Sequence, residues 1–135
     1  MAETDPKHVL VVNDTEEILE LFRDILEGMG HRMTGMSYAP QDLQEVAKTA
    51  PDLVIMDLIM GGEKHGWQLV QKMRMSPETD GLPVIVCSAA TDDVREQEGW
   101  LAANAVKVVL KPFNVADLEA AVTKALAMPE MTARA

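Results

Sequence analysis

Leu53-Val-Ile-Met56 is an unbroken apolar run, too short for a typical helix and rich in strand formers, and Asp57 follows it at once. Such a run reads as a strand buried on both faces, the condition of a parallel sheet covered on each side by helices. Gly61, Gly62 and Gly66 come soon after. A carboxylate at the carboxyl end of a parallel strand, opening onto a glycine-rich loop, occupies the place where open α/β sheets put their ligand chemistry.

The rest of the chain repeats one alternation. His8-Val-Leu-Val-Val12 is a first apolar strand running into Asn13-Asp14, and Ile18, Leu21, Phe22, Ile25, Leu26 and Met29 then recur at helical spacing. Asp14 with Glu17 predicts a capping box at the start of that helix, and Gly28 and Gly30 bracket its exit. His31 to Ser37 is a second, less apolar strand, and Pro40 to Ala50 reads as a short helix with Leu43, Val46 and Ala47 inward. The strand ending at Asp57 is the third. A helix is predicted over Gly66 to Met75, carrying Leu69, Val70 and Met73 and stopped by Ser76-Pro77. Leu82 to Cys87 is the fourth strand, followed by a helix over Thr91 to Ala102 capped by Thr91 or Asp92. Val106 to Leu110 is the fifth strand, and Asn114 caps a last helix with Val115, Leu118, Val122 and Leu126 on one face.

Five strands alternating with five helices predict an α/β fold, a doubly wound parallel sheet with right-handed crossovers and helices on both faces. The weakly apolar second strand belongs at an edge, which gives the order 2-1-3-4-5 and sets strands 1 and 3 beside the topological switch point. With 135 residues, 47% of them apolar, the chain has the size and composition of one globular domain. Residues 1–128 form that domain in this reading, and Pro129 to Ala135 is a frayed tail. A formal net charge of −10 argues against a broad nucleic-acid footprint and against an anionic membrane surface. The single cysteine, Cys87, lies in an apolar run and reads as a reduced core thiol. With no signal-peptide pattern and no apolar stretch of bilayer length, the expected location is the cytoplasm.

The predicted topology brings four strand ends to one edge of the sheet: Asn13 and Asp14 from strand 1, Asp57 from strand 3, Ser88 from strand 4 and Lys111 from strand 5. The set is chemically coherent. Asp14 and Asp57 offer oxygen ligands to a hard cation such as Mg2+, which takes one or two carboxylates and keeps several waters. A carboxylate forms an aspartyl phosphate when a metal and a cation neutralise charge on the phosphoryl oxygens. Lys111 supplies a compact ammonium and Ser88 a hydroxyl donor. His8, His31 and His65 lack zinc-ligand spacing, and acids after strand 1 stand where a flavin phosphate needs glycine and hydroxyl donors. Trp67 and Trp100 read as packing residues.

The chain resembles a response-regulator receiver domain of two-component signalling, CheY-like and flavodoxin-like in fold, over about residues 7 to 128. The matching segments are Val11-Val-Asn-Asp14, Asp57-Leu-Ile-Met60, Val84-Ile-Val-Cys-Ser-Ala89 and Val109-Leu-Lys-Pro-Phe113. The resemblance implies that Asp57 accepts a phosphoryl group from a histidine kinase or a histidine phosphotransfer protein. It implies that Asp14, Asp57 and the backbone carbonyl of Ile59 hold Mg2+, with Asn13 acting indirectly. Ser88 then takes the place of the switch hydroxyl and Lys111 that of the family lysine, aimed by a cis Lys111-Pro112 peptide. The output surface would be the face of helix 4, strand 5 and helix 5, on a monomer or weak dimer and toward an unidentified partner. No effector domain follows, so a single-domain regulator or an isolated receiver is expected.

Several positions depart from the family pattern. Asn13 stands where a second acid is usual, which removes one negative charge and predicts weaker Mg2+ binding. The loop after Asp57 reads Met60-Gly61-Gly62-Glu-Lys-His-Gly66 where the family has Met-Pro, so proline's fixed φ is lost. Val108 occupies the aromatic switch position, and a valine has no ring to swing. Ile59 and Ala90, at the positions that flank the attacking water, carry no polar side chain, which predicts a modest rate of self-dephosphorylation. A degenerate receiver serving as a phosphorylation-independent docking module is the alternative reading.

Overall fold

The computed structural model describes residues 7–38, 40, 42–57, 65–89, 92–111 and 114–127, with the backbone alone at His65, Ala89, Asp92 and Asp93. Its strands are β1 (His8–Val12), β2 (Arg32–Met36), β3 (Leu53–Met56), β4 (Val84–Ala89) and β5 (Val106–Lys111). They pair in parallel in the order β2-β1-β3-β4-β5. The helices are α1 (Glu16–Gly28), α2 (Leu43–Lys48), α3 (His65–Met75), α4 (Asp92–Glu96), α5 (Glu98–Ala103) and α6 (Val115–Ala127).

Successive side chains of a strand point to opposite faces, so an unbroken apolar strand feeds two cores at once. Val9, Val11, Leu53, Ile55, Ile85, Cys87 and Val109 pack against Phe22, Ile25 and Leu26 of α1 and Leu118 and Val122 of α6. Leu10, Val12, Val54, Met56, Val84 and Val86 pack on the other side against Val46, Leu69, Val70, Met73, Val94 and Leu101. Two helices therefore cover one face and four the other. Trp67 and Trp100 meet edge to face with ring centroids 5.1 Å apart, closing the second layer between α3 and α5. Arg74 fixes the lower end of that layer. Its Nε donates to the Asn104 carbonyl at 2.8 Å and its Nη1 to the Asp80 carbonyl at 3.3 Å.

Fold class and strand order are as expected, while several local details differ for physical reasons. The predicted box of Asp14 and Glu17 is not formed: Thr15 is the N-cap of α1, with φ −110 and ψ 116 and no side-chain cap bond. The helix does end at Gly28, and Gly30 adopts φ +91, the left-handed exit that glycine permits. α2 starts late because the Asp42 side chain caps it by accepting the Gln44 N–H at 2.9 Å; Val46 is buried but Ala47 is exposed. β4 begins at Val84, not Leu82. The Leu82 N–H closes a turn onto the Thr79 carbonyl at 3.1 Å, and Pro83 has no N–H to give to the ladder. The helix predicted over Thr91 to Ala102 is two helices, α4 and α5, broken at Gln97, whose φ −99 and ψ 3 and bond to the Val94 carbonyl are those of a tight turn. Asn114 caps α6 as expected, its Oδ1 accepting the Asp117 N–H at 2.7 Å, but Val115 in that first turn is 47% exposed and not inward. Thr91 and the segment Pro129 to Ala135 lie outside the described residues.

Candidate functional site

The carboxyl edge of the sheet is assembled by strand register. Val12 of β1 pairs with Met56 of β3, so Asn13 and Asp57 are the next residues of neighbouring strands. Ser88 and Lys111 come from the other side, where Ser88 pairs with Leu110 and Ala89 with Lys111. β4 runs on to Ala89, beyond the expected end at Cys87, which places Ser88 within the ladder and not in the loop after it.

Three of the residues singled out in the sequence meet directly. Lys111 Nζ donates to Asp57 Oδ2 at 2.9 Å, and Ser88 Oγ donates to Asp57 Oδ1 at 3.2 Å. Each carboxylate oxygen is thus addressed by a different donor. The side chains of Lys111 and Asp57 retain 33% and 15% exposure, so the pair faces an opening rather than the core. Ser88 is only 2% exposed, and the packed strand fixes its hydroxyl.

Asn13 and Asp14 diverge. Asn13 is 4% exposed and its Oδ1 accepts the Thr15 N–H at 2.9 Å, while its own N–H donates to the Met36 carbonyl at 3.0 Å. Asp14 is exposed at the same edge, with the Thr15 hydroxyl 3.4 Å from its Oδ1. The Asx turn at Asn13 was readable from an asparagine two residues before a helix N-cap, but the acid pattern at Asp14 and Glu17 masked it.

Cys87 is an unlooked-for neighbour of the charge pair. It is the residue before Ser88, on the opposite face of β4, 1% exposed and free. Burial pushes its thiol up to about 12, with the Lys111 ammonium opposing and the Asp57 carboxylate reinforcing the shift. A thiol held so strongly protonated is packing material, not a nucleophile.

Ile59, Met60, Gly61, Gly62, Ala90 and the Lys111-Pro112 peptide lie outside the described residues, and with them the expected carbonyl ligand, the loop after Asp57 and both of the water-flanking positions. Among the described residues no group of three or more His, Cys, Asp or Glu side chains converges. Asp14 and Asp57 nevertheless fit Mg2+ by donor chemistry: two hard carboxylates at one sheet edge are the set that this ion takes, with water completing its shell.

A doubly wound 2-1-3-4-5 sheet with a lysine-paired aspartate at its switch point defines the CheY-like class of flavodoxin-fold domains. The response regulator receiver domain family matches residues 9–123, and the chain belongs to it: this is a receiver domain of two-component response regulators. It is 32% identical over 125 residues to the phosphate regulon transcriptional regulatory protein PhoB of Rhizobium meliloti, covering 91% of this chain and 54% of that protein. To the KDP operon transcriptional regulatory protein KdpE of Escherichia coli it is 32% identical over 119 residues, covering 88% and 51%. The chain thus spans about half the length of the curated relatives it matches. Among solved structures, the signal receiver domain of a signal transduction histidine kinase from Syntrophus aciditrophicus superposes with a TM-score of 0.77 at 25% identity, covering 90% of each chain. The response regulator TrrA of Thermotoga maritima, in complex with Mg(2+)-BeF, superposes with a TM-score of 0.74 at 26% identity, covering 88% of this chain and 98% of that one. Among the described residues no helix is long and apolar enough to cross a membrane.

Proposed function

We propose that the domain is a phosphorylation switch in which Asp57 takes a phosphoryl group from the phosphohistidine of a kinase or phosphotransfer protein in the cytoplasm. The observation that carries this reading is the Lys111–Asp57 contact at 2.9 Å, made across strands with Ser88 on the second oxygen. In the transfer, a carboxylate oxygen of Asp57 attacks phosphorus in line with the donor imidazole, the P–N bond breaks, and the imidazole nitrogen leaves with its electron pair. The carboxylate becomes an acyl phosphate, and the Lys111 ammonium passes from the carboxylate to a phosphoryl oxygen, where it offsets the charge that builds up. Ser88 donates its hydroxyl to another phosphoryl oxygen. Asp14 and Asp57 are the residues that would hold Mg2+, which supplies further neutralisation of the phosphoryl oxygens when bound.

Re-pairing of Ser88 and Lys111 is the local event that would bias the packing of β4 and β5, and with it the α4–α5, β5 and α6 face offered to an output partner. Val108 is half-buried and packs against the second core layer. An aliphatic side chain packed there favours a response carried by strand and helix shifts over one carried by a swinging ring. The same observation supports the alternative, a docking module indifferent to phosphate.

Incubation with acetyl phosphate or phosphoramidate and Mg2+, read by intact mass, tests the reading. One added phosphoryl group, lost in Asp57→Asn and absent when the cation is chelated, is the expected result. A native protein that stays unmodified while binding a partner with unchanged affinity would overturn the switch and leave the docking module.

A further inference from the structure

We propose that Asn13 is the positioning residue of the cation site, acting through the Thr15 amide and not as a ligand. This deepens the phosphorylation reading and rests on it for the identity of the site. Three observations set Asn13 apart from the flexible acid-bearing loop that its neighbours suggest. Its side chain is 4% exposed, next to Asp14, which is exposed. Its amide oxygen accepts the Thr15 N–H at 2.9 Å. Its own N–H is held by the Met36 carbonyl of β2 at 3.0 Å, which prolongs the β1–β2 pairing by one residue.

Asn13 is therefore anchored before and after the turn, and the direction of Asp14 is set between the two bonds. The orientation of the amide follows from the chemistry of its partner: a backbone N–H needs an acceptor, so the oxygen turns toward Thr15 and the NH2 group points away. An NH2 group cannot ligate a cation. A second acid in this position could hold the same turn and add negative charge; asparagine holds the turn and adds none. The start of α1 depends on the same bond, because the Thr15 carbonyl accepts the N–H groups of Ile18 and Leu19 at 3.1 and 3.0 Å. Thr15 makes no side-chain cap bond of its own, so its placement rests on the Asx turn.

The test compares Asn13→Ala, Asn13→Ser and Asn13→Asp in the intact chain. The first readout is solvent exchange of the Thr15 amide proton by NMR without divalent cation; the second is Mg2+ affinity followed by the same amide spectra. Loss of one hydrogen bond of ordinary strength corresponds to about a fivefold effect. Asn13→Ala is expected to expose the Thr15 amide and to weaken Mg2+ binding about fivefold. Asn13→Ser, able to close the same turn through its hydroxyl, restores most of both. Asn13→Asp keeps the amide protected and tightens Mg2+ binding. Unchanged Thr15 exchange in Asn13→Ala overturns the proposal. So does weaker Mg2+ binding with that amide still protected, since it would place Asn13 on the ion's own water shell. Because amide exchange is read without cation or phosphodonor, failure of Asp57 to accept phosphate is seen separately.

Discussion

Lys111 Nζ lies 2.9 Å from Asp57 Oδ2 although 54 residues separate them in the chain. The contact exists because β4 pairs with both β3 and β5 and holds their ends at one edge of the sheet, so that a side chain of lysine length reaches from β5 past β4 to the residue that follows β3. In the proposed transfer, an ammonium already in place at the Asp57 carboxylate needs no reorganisation when charge moves onto the incoming phosphoryl oxygens. Replacing it by Lys111→Met should lower the rate of phosphoryl incorporation from a small phosphodonor by roughly a hundredfold, the usual cost of removing one charge-stabilising donor. Lys111→Arg should recover little, because a planar fork does not reproduce a point charge. Initial rates by mass spectrometry, with circular dichroism as a folding control, decide it. A variant as fast as the parent would remove Lys111 from the chemistry.

The amino edge of the sheet predicts a pH response. His31 Nδ1 accepts the Lys7 N–H at 3.2 Å, and burial together with the Lys7 charge lowers the His31 pKa from 6.5, with Asp52 opposing. A histidine depressed in the fold binds its proton more readily when unfolded, so stability falls as pH drops below 6.5 toward the folded pKa and is unaffected above. Urea midpoints of the parent and of His31→Gln between pH 8 and pH 5 should diverge only in the acid half. Parallel curves would rule His31 out as the source.

Cys87 should be silent toward Ellman's reagent at neutral pH. Its thiol is 1% exposed and pushed up to about 12, so the reactive thiolate is scarce and unreachable in the native protein. Labelling should track urea unfolding, with one thiol reacting in the unfolded chain. Fast labelling of folded protein at pH 7 would show that β4 opens at the site.

Two alanines lie in the left-handed region, Ala50 at φ 48 and Ala105 at φ 59. The first leads from α2 into β3 and the second from α5 into β5, and each reverses the chain where a Cβ crowds the following carbonyl. That conformation costs an L-residue roughly 1–2 kcal/mol, part of which glycine gives back through the greater freedom of its unfolded state. Ala50→Gly and Ala105→Gly should each raise the melting temperature by about 2–4 °C. A fall in either would show that the alanine methyl contributes more through packing than its backbone loses through strain.

Much of this protein was legible from local pattern. Apolar runs as short as Leu53–Met56 can only be buried strands, and their alternation with 3.6-period segments leaves a parallel sheet as the architecture that hides both faces. The polar residue after each run then follows the run to the sheet edge, which is why Asp57, Ser88 and Lys111 could be named before any contact was known. Where local signals competed, tertiary context chose. Asp14 with Glu17 has the letters of a capping box, yet Asn13, held from behind by the Met36 carbonyl of β2, takes the Thr15 N–H and moves the helix start one residue on. Gln97 breaks an otherwise helical stretch because α5 must turn Leu101 into the layer under β5, a demand that no periodicity expresses. The sequence by itself determined which residues must be buried and in what order, because hydrophobic burial is read from spacing along the chain. Only the tertiary structure decided which donors reach the two oxygens of Asp57, because that depends on strand register, a relation between segments that are distant in sequence.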